Sequence, residues 1–254
     1  MQTFEQVKFS QSYPELRLEK AINGIIIHPE KESRKTLSPS GLNCQRAAAF
    51  KLMGLVMRGE EETYESNLAA EMGSFIHARI QKFLSKSDIW VNVEDFIAEH
   101  PELGITLNPE QKNPGEISLL FSGKRDGIEV PPFSFQCDGI VKIDGEYYIV
   151  EIKSETETAW EKRTAPNPKH SEQATGYSFL YGIKNILWIY ASRESFGTHR
   201  KIYLQEVEKN KIKGFVSTVS DIGLKVNENR VVDLPKSKDC RYCAFIESCK
   251  KLGK

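Results

Sequence analysis

The dipeptide Asp144-Gly145 separates two apolar stretches, residues 133–143 and 146–152, and constrains the fold more than any other feature of the chain. Both stretches are rich in the β-branched and aromatic residues that favour strands. Because Asp-Gly suits the positive-φ geometry of a two-residue turn, the pattern predicts an antiparallel β-hairpin. Such a hairpin brings Asp138 on the first strand close to Glu151 on the second.

The elements predicted around this hairpin indicate a mixed fold. Helices are predicted over residues 40–57, 60–84, 171–181 and 209–226. Further strands are predicted over residues 117–122, 186–191 and 201–207. Strands in the middle of the chain with helices on both sides predict a mixed α+β fold with a central sheet, rather than a helical bundle or an all-β barrel. A chain of 254 residues can bury one sizeable core, and we predict a single domain over residues 1–254.

The composition excludes two classes of protein. Apolar residues make up 39% and charged residues 28% of the chain, which excludes disorder over most of it. No apolar stretch approaches the roughly 20 residues of a membrane-spanning helix. Residues 1–10 lack the apolar region of a secretory signal, so we expect a cytoplasmic location and no membrane partner. The 35 basic and 35 acidic residues give zero net charge, which offers no general electrostatic reason to expect a nucleic-acid partner.

Three charged residues of the hairpin form a candidate catalytic group. Glu151 and Lys153 are two residues apart, so their side chains point to one face of a strand, with Asp138 nearby. Two carboxylates can hold Mg²⁺ or Mn²⁺ for phosphodiester hydrolysis, and a lysine can orient the attacking water. Such triplets also occur on solvated strand faces. The apolar residues around Glu151 weigh against that alternative, because buried charges need a partner or a metal.

Two further residue pairs lie on the predicted helices. Gly73 and His77 place a histidine on an otherwise apolar helix face. A lone histidine of this kind is more often structural than a ligand. Gln173 and Tyr177 are four residues apart and share a helix face, which alone carries little information.

Taken together and in this order, these groups resemble the motifs of the PD-(D/E)XK nuclease superfamily, above all of its RecB-type exonucleases. The matching residues are Gly73, His77, Asp138, Glu151, Ile152, Lys153, Gln173 and Tyr177. The resemblance covers about residues 73–181 and implies a restriction-endonuclease-like core, with the nuclease core at about residues 73–207. It also implies metal-dependent exonuclease action on single-stranded DNA or on duplex ends.

The resemblance assigns a role to each matching side chain. It implies that the metal is held by His77, Asp138, Glu151 and the main-chain carbonyl of Ile152. Lys153 then acts on the attacking water. Gln173 and Tyr177 shape the site and contact the DNA strand.

Five cysteines form a second candidate site. They are Cys44, Cys137, Cys240, Cys243 and Cys249, and the last three fall within ten residues. An odd count in a reducing compartment argues against disulfides. A closed metal site needs four ligands, which leaves Cys44 or Cys137 as the fourth. Zinc ribbons usually carry two Cys-x2-Cys knuckles and this chain has one, so a [4Fe–4S] cluster fits better. Zn²⁺ and unliganded, buried cysteines remain as alternatives.

The cysteine spacing also resembles that of one branch of the RecB-like nucleases. This branch, which includes the exonuclease of CRISPR adaptation and the AddB nuclease domain, has one upstream cysteine and a downstream Cys-x2-Cys-x5-Cys. The resemblance implies that the cluster is held by Cys44, Cys240, Cys243 and Cys249. Cys137 is then a bystander that points into the core. A cluster of this kind would join the N-terminal and C-terminal parts of the fold and stabilise it.

Charge is distributed unevenly along the chain. Residues 60–71 contain five Glu and no Lys or Arg, whereas residues 200–254 carry a net charge of +6. A solvated basic helix and tail would also explain this surplus. We predict that DNA is contacted by Lys162, Arg163, Lys169 and Tyr177, and that His170 helps the first three to guide the strand past the metal.

The function predicted from these features is a DNA exonuclease of recombination, repair or CRISPR adaptation. No phosphate-binding loop of the Walker type is present, so a helicase motor, like an integrase, would be a separate partner protein. The alternative is a non-catalytic DNA-binding or assembly subunit on the same fold. The intact set of Asp138, Glu151 and Lys153 argues against it, because such a subunit does not need these groups together.

Overall fold

The first half of the chain is mainly helical in the computed structural model, which describes residues 14–109, 117–125, 127–237, 240 and 243–252. Short two-residue strands alternate with the helices. In chain order, these elements are α1 (Pro14–Ile22), β1 (Ile26–Ile27), β2 (Lys31–Glu32), α2 (Gln45–Leu52), β3 (Val56–Met57), β4 (Glu61–Glu62) and α3 (Tyr64–Leu84).

The rest of the chain, from residue 90 onward, supplies the longer strands. In chain order, the elements are β5 (Trp90–Val91), α4 (Val93–Glu99), β6 (Ile105–Leu107), β7 (Leu119–Arg125), β8 (Ile128–Phe135), β9 (Gly139–Ile143), β10 (Glu146–Glu155), α5 (Glu157–Lys162), α6 (Ser171–Tyr181), β11 (Asn185–Ser192), β12 (Arg200–Glu206), α7 (Lys209–Asn227) and α8 (Ile246–Leu252).

A five-stranded mixed sheet lies at the centre, in the order β12-β11-β10-β9-β5. β10 and β11 run parallel, and every other neighbouring pair in this sheet is antiparallel. The predicted hairpin is confirmed: β9 and β10 pair through Ile143 and Glu146, and Asp144 and Gly145 both adopt positive φ, 50° and 86°. β6, β7 and β8 form a separate antiparallel sheet.

Helices cover both faces of the central sheet. On one face, α3 packs through Ile80 and Leu84 against a small cluster that includes Val150 and Ile152. On the other face, Ile149 belongs to the main core, which α6 and α7 complete. This alternation follows from the two-residue period of β10, and it places Glu151 on the face of α6. The predicted mixed α+β class, with a central sheet flanked by helices, is confirmed.

Three of the predicted elements have wrong bounds. The helix predicted over residues 40–57 is reduced to Gln45–Leu52, because Pro39–Gly41 forms a 3-10 turn and Gly54 adopts a φ of 73°. The helix predicted from residue 60 begins at Tyr64, where Thr63 and Ser66 form a reciprocal capping box.

The third correction concerns the strand predicted over residues 133–143. It is interrupted after Phe135, so that β8 and β9 belong to different sheets. The chain leaves the pleat at residues 136–138 and re-enters it at Gly139, where a Cβ atom would lie 2.5 Å from the Trp90 ring. Only glycine allows β5 to approach β9 this closely. Among the described residues, no helix combines the length and apolar character needed to cross a membrane.

Candidate active site

Asp138 lies at the break between β8 and β9 and is held by two elements of the fold. Its Oδ2 accepts a 2.6 Å hydrogen bond from the main-chain N–H of Ile152, and its Oδ1 lies 3.2 Å from Nδ1 of His77. Its main-chain oxygen accepts a 2.9 Å hydrogen bond from Gln81. Because α3 carries His77 and Gln81, the helix and the hairpin fix this carboxylate together.

α3 can reach the hairpin because of a glycine one turn before His77. A Cβ atom on Gly73 would lie 2.9 Å from Oγ of Ser154, which follows Lys153 on β10. This contact is closer than a real Cβ tolerates, so a larger residue at position 73 would require the Ser154 hydroxyl to move. The structure thus supplies a physical reason for the Gly73 and His77 pair.

Glu151 is the most deeply buried carboxylate of the site, with 2% of its surface exposed. Its Oε2 accepts hydrogen bonds from Lys153 Nζ at 2.8 Å and from Gln173 Nε2 at 3.0 Å. The pKa of Glu151 is raised to about 7, chiefly by burial and also by the charge of Asp138, and Lys153 offsets only part of this effect. Two carboxylates therefore share a site that solvates their charge poorly.

Lys153 lies between this carboxylate and an aromatic wall. Its Nζ is 5.8 Å from the ring centroid of Trp188, the residue paired with Glu151 in the parallel strand β11. Tyr190 stands beside Lys153 in the same register. The ammonium group is therefore held on the α6 face of the sheet, next to the carboxylates.

Gln173 and Tyr177 connect Glu151 to the strand break. Gln173 Nε2 lies 3.3 Å from the hydroxyl of Tyr177, and that hydroxyl donates to the main-chain oxygen of Gln136. Tyr177 is only 6% exposed, and burial raises its pKa well above the ordinary value, so it stays a donor. The two residues position Glu151 and the segment that carries Asp138. Direct contact between Tyr177 and DNA stays a prediction.

The six predicted catalytic side chains are brought together in two groups that meet at the main chain of Ile152; they are His77, Asp138, Glu151, Lys153, Gln173 and Tyr177. Among the described residues, no group of three or more His, Cys, Asp and Glu side chains has an arrangement that would hold a metal ion as it stands. Oδ1 of Asp138 lies next to His77, and Oδ2 of Asp138 and Oε2 of Glu151 accept hydrogen bonds from the protein. Their chemistry, oxygen ligands with one imidazole, suits Mg²⁺ or Mn²⁺.

The predicted DNA-contacting cations differ in their surroundings. Lys162 and Lys169 are exposed. The guanidinium of Arg163, in contrast, forms two short hydrogen bonds to Glu155, of 2.7 and 2.6 Å, and lies 4.3 Å from the ring centroid of Tyr190. A DNA phosphate would have to compete with Glu155 for this residue.

A cationic pocket beside Tyr177 was missed in the sequence. It has a volume of about 250 Å³ and is lined by Arg34, Thr36, Ser38, Pro39, Ser40, Lys51, Ser118, Ser134, Phe135, Gln136 and Tyr177. Burial lowers the pKa of Lys51, and the charge of Arg34 lowers it further. Neither cation forms an ion pair with an acidic residue in the described part of the chain. The pocket therefore carries positive charge that the surrounding protein leaves uncompensated.

Four cysteines come together where α2 meets the C-terminal segment. Cys44 is the residue before α2, and its sulfur accepts a 3.4 Å hydrogen bond from the N–H of Ser237. The thiol of Cys240 donates to the oxygen of the same Ser237. Burial raises the pKa of the Cys243 thiol, and the charges of Cys44, Cys240 and Cys249 raise it as well.

Arg46 joins the same two segments. It donates to the main-chain oxygens of Val232 and Leu234 and lies 3.8 Å from the sulfur of Cys249. Cys137 lies apart from this group and packs against the main core, where burial raises the pKa of its thiol to about 12. The structure thus separates four cysteines from the fifth.

A scan of the sequence against protein-family models and a search of curated proteins each find no match. Among solved structures, the protein SSO0001 is similar at 14% identity and a TM-score of 0.47, with 92% of this chain and 93% of that chain covered. The alkaline exonuclease LHK-Exo from Laribacter hongkongensis is similar at 15% identity and a TM-score of 0.45, with 86% and 93% covered. At these identities and TM-scores, the similarity assigns neither an activity nor a substrate to this chain.

Proposed function

We propose that this chain is a Mg²⁺- or Mn²⁺-dependent deoxyribonuclease that hydrolyses phosphodiester bonds at DNA ends. One observation carries the proposal: Asp138 and the buried Glu151 share a site, and Lys153 lies 2.8 Å from Glu151. Burial and mutual repulsion make this pair of carboxylates costly when it is charged, and a divalent cation is the ligand that would offset that cost.

The residues that would hold the cation are His77, Asp138, Glu151 and the main-chain carbonyl of Ile152. A bound divalent cation polarises a phosphate and lowers the pKa of a bound water. His77 and the N–H of Ile152 orient the carboxylate of Asp138, since each contacts one of its oxygens. Gln173 does the same for Glu151.

Lys153 supplies the remaining polar group of the reaction. Its Nζ has three N–H bonds, of which one is directed to Glu151. The others are available to hold a water in line with the phosphorus or to neutralise an oxygen of the phosphate. Trp188 limits the positions of this ammonium group, because the indole ring lies beneath it.

The cationic pocket favours action at an end of a strand. A chain terminus can place a phosphate inside a concave pocket, whereas an internal phosphate is flanked by sugars on both sides. Arg34, Lys51 and the surrounding hydroxyls are the donors that such a phosphate needs. Tyr177 separates this pocket from Glu151, so the bond to be cut would lie close to the bound end.

We further propose that Cys44, Cys240, Cys243 and Cys249 hold a [4Fe–4S] cluster, with Zn²⁺ as the alternative. Four thiolates are the soft ligands that such a cluster needs, and Cys44 and Cys240 both contact Ser237. The role of this site is structural. It would join α2 to α8, and Arg46 supports the same junction through the oxygens of Val232 and Leu234.

The experiment that tests the nuclease compares isosteric variants on end-labelled single-stranded and duplex DNA with Mn²⁺. We expect the wild type to degrade DNA from its ends, and we expect Asp138→Asn and Lys153→Met to lose at least about 100-fold in rate. Lys142→Met is the matched control, because Lys142 lies on the same hairpin but is exposed and contacts Tyr147. DNA binding without cleavage under all conditions would favour the non-catalytic DNA-binding subunit.

A further inference from the structure

We propose that His170 contacts the DNA backbone as a neutral hydrogen-bond donor, through an Nε2–H group fixed beside Lys153. The inference rests on the proposed nuclease function and deepens it. The ligand is an oxygen of a phosphodiester next to the bond that is cut. This contact differs from that of a cationic side chain, because a neutral N–H forms a directional hydrogen bond to the phosphate oxygen without adding a positive charge to the site.

The ring of His170 is held in place at the start of α6. It stacks on Trp188, with centroids 5.5 Å apart and an angle of 28°, and on Tyr190, with centroids 6.0 Å apart and an angle of 12°. Lys153 lies 5.8 Å from the same Trp188 ring. His170 and Lys153 therefore border one aromatic wall on the α6 face of the sheet.

The hydrogen bonds around Tyr190 favour one tautomer of this ring. The hydroxyl of Tyr190 accepts a 2.9 Å hydrogen bond from the N–H of Asn167. That hydroxyl also lies 3.0 Å from Nδ1 of His170. Since its oxygen already accepts one hydrogen bond, we assign the phenolic hydrogen as the donor to Nδ1. In this tautomer the ring proton resides on Nε2, which has no hydrogen-bond partner within the described residues.

Burial and the neighbouring charges keep the ring neutral. The pKa of His170 is lowered to about 4, chiefly by burial and also by the charges of Lys153 and Arg163, while Glu155 opposes the shift. An additional cation would be costly beside Lys153 and Arg163. A neutral N–H avoids this repulsion and still satisfies a phosphate oxygen.

The decisive experiment substitutes His170 with residues that retain different parts of the ring. Gln places an amide N–H near the position of Nε2, Asn places one near Nδ1, and Phe retains only the stacking. We expect His170→Gln to keep kcat/KM on DNA within about 3-fold of the wild type. His170→Asn and His170→Phe should lower kcat/KM about 10- to 100-fold. His199→Phe is the matched control, because His199 is exposed and contacts Glu157 instead.

A second measurement tests the tautomer in the metal-free protein without DNA. In ¹⁵N spectra of labelled imidazoles, His170 should show a protonated Nε2 and an unprotonated Nδ1, and Tyr190→Phe should convert it to a mixture. A proton on Nδ1 would overturn the proposal. So would wild-type kcat/KM in His170→Phe while Asp138→Asn is inactive, and in that case the nuclease would stand without this contact.

The same variants keep the inference testable if the wild type cleaves no DNA. Binding of a fluorescent single-stranded oligonucleotide in the presence of EDTA should weaken in His170→Phe and not in His170→Gln. Equal binding by both variants would reject the contact between His170 and DNA. A wild type that binds but never cleaves would instead reject the nuclease, whatever the imidazole spectra show.

Discussion

The carboxylate of Asp138 accepts a 2.6 Å hydrogen bond from the main-chain N–H of Ile152, across the hairpin. β9 begins only at Gly139, so this N–H lies beyond the last ladder pair, Val150 with Gly139. The Asp138 side chain takes the place of the missing strand neighbour. One carboxylate thus completes the sheet, and under the proposed function it would also provide an oxygen for a cation.

This double role predicts different effects for two substitutions of Asp138. Asp138→Ala removes the acceptor of the Ile152 N–H and should lower the free energy of unfolding by about 1–3 kcal/mol. Asp138→Asn keeps an acceptor oxygen and should unfold close to the wild type. Both variants should lose the nuclease activity. Thermal unfolding and DNA degradation measured on the same samples check this, and equal stability of the two variants would contradict it.

A pH-dependent stability is expected from Glu151 in the metal-free protein. Its pKa is about 7 in the folded state and 4.5 without the folded surroundings, so the folded state holds the proton more tightly than the unfolded chain does. This contribution is fully present below pH 4.5 and is lost as the pH rises through 7. Glu151→Gln should therefore gain stability relative to the wild type between pH 5 and pH 8, by at most about 3 kcal/mol.

Urea unfolding in EDTA at the two pH values measures this difference. Glu146→Gln, on the exposed start of the same strand, is the matched control. Mn²⁺ should stabilise the wild type at pH 8 and leave Glu151→Gln almost unchanged. If the difference in stability between Glu151→Gln and the wild type does not depend on pH, the pKa of Glu151 is not raised in the folded state.

The cationic pocket predicts a preference for phosphorylated ends. Lys51→Met removes a positive charge from the pocket and relieves its repulsion with Arg34. The variant should bind an oligonucleotide with a terminal phosphate about 10-fold more weakly, with little change for a hydroxyl end. Dissociation constants for both oligonucleotides, at two salt concentrations, measure the effect. Lys35→Met is the control, since Lys35 lines a different pocket, and an equal loss for both ends would indicate general attraction only.

The separation of the cysteines predicts which of them bind iron. Cys240→Ser and Cys44→Ala should lose iron and a large part of the stability, because the junction of α2 with the C-terminal segment loses its ligands. Cys137→Ala should retain iron, since this thiol belongs to the main core. Iron content, absorbance in the thiolate-to-iron region and thermal unfolding test the assignment. A colourless protein with bound zinc would favour the Zn²⁺ alternative, and iron retained in Cys240→Ser would exclude this ligand.

The sequence predicted correctly those turns and helices that depend on the preferences of neighbouring residues. The turn at Asp144 and Gly145 follows from backbone preferences of these two residues, and α6 has the bounds that its pattern indicated. The break before Asp138 could not be predicted, because the apolar stretch continues through it. The close packing of Trp90 against Gly139, directly after the break, involves a residue far away in the chain, which a local pattern does not show.

In the candidate site, too, local spacing predicts some features, whereas others depend on contacts between distant parts of the chain. The spacing of Glu151 and Lys153 determines that they share a face, and the hairpin brings Asp138 to them. The ion pair of Arg163 with Glu155 depends on the path of the chain after α5, which spacing does not reveal. The pocket between Arg34 and Lys51 depends on the packing of the N-terminal segment against β8.

Tyr177 lines the cationic pocket, and its hydroxyl also lies 3.3 Å from Gln173, which holds Glu151. A single phenol ring is thus the shared wall between the place where a strand end would rest and the place where its backbone would be cut. A substitution of that ring would change the lining of the pocket and the contact with Gln173 together. Under the proposed function, substitutions at Tyr177 should therefore change both the binding of a strand end and the rate of cleavage.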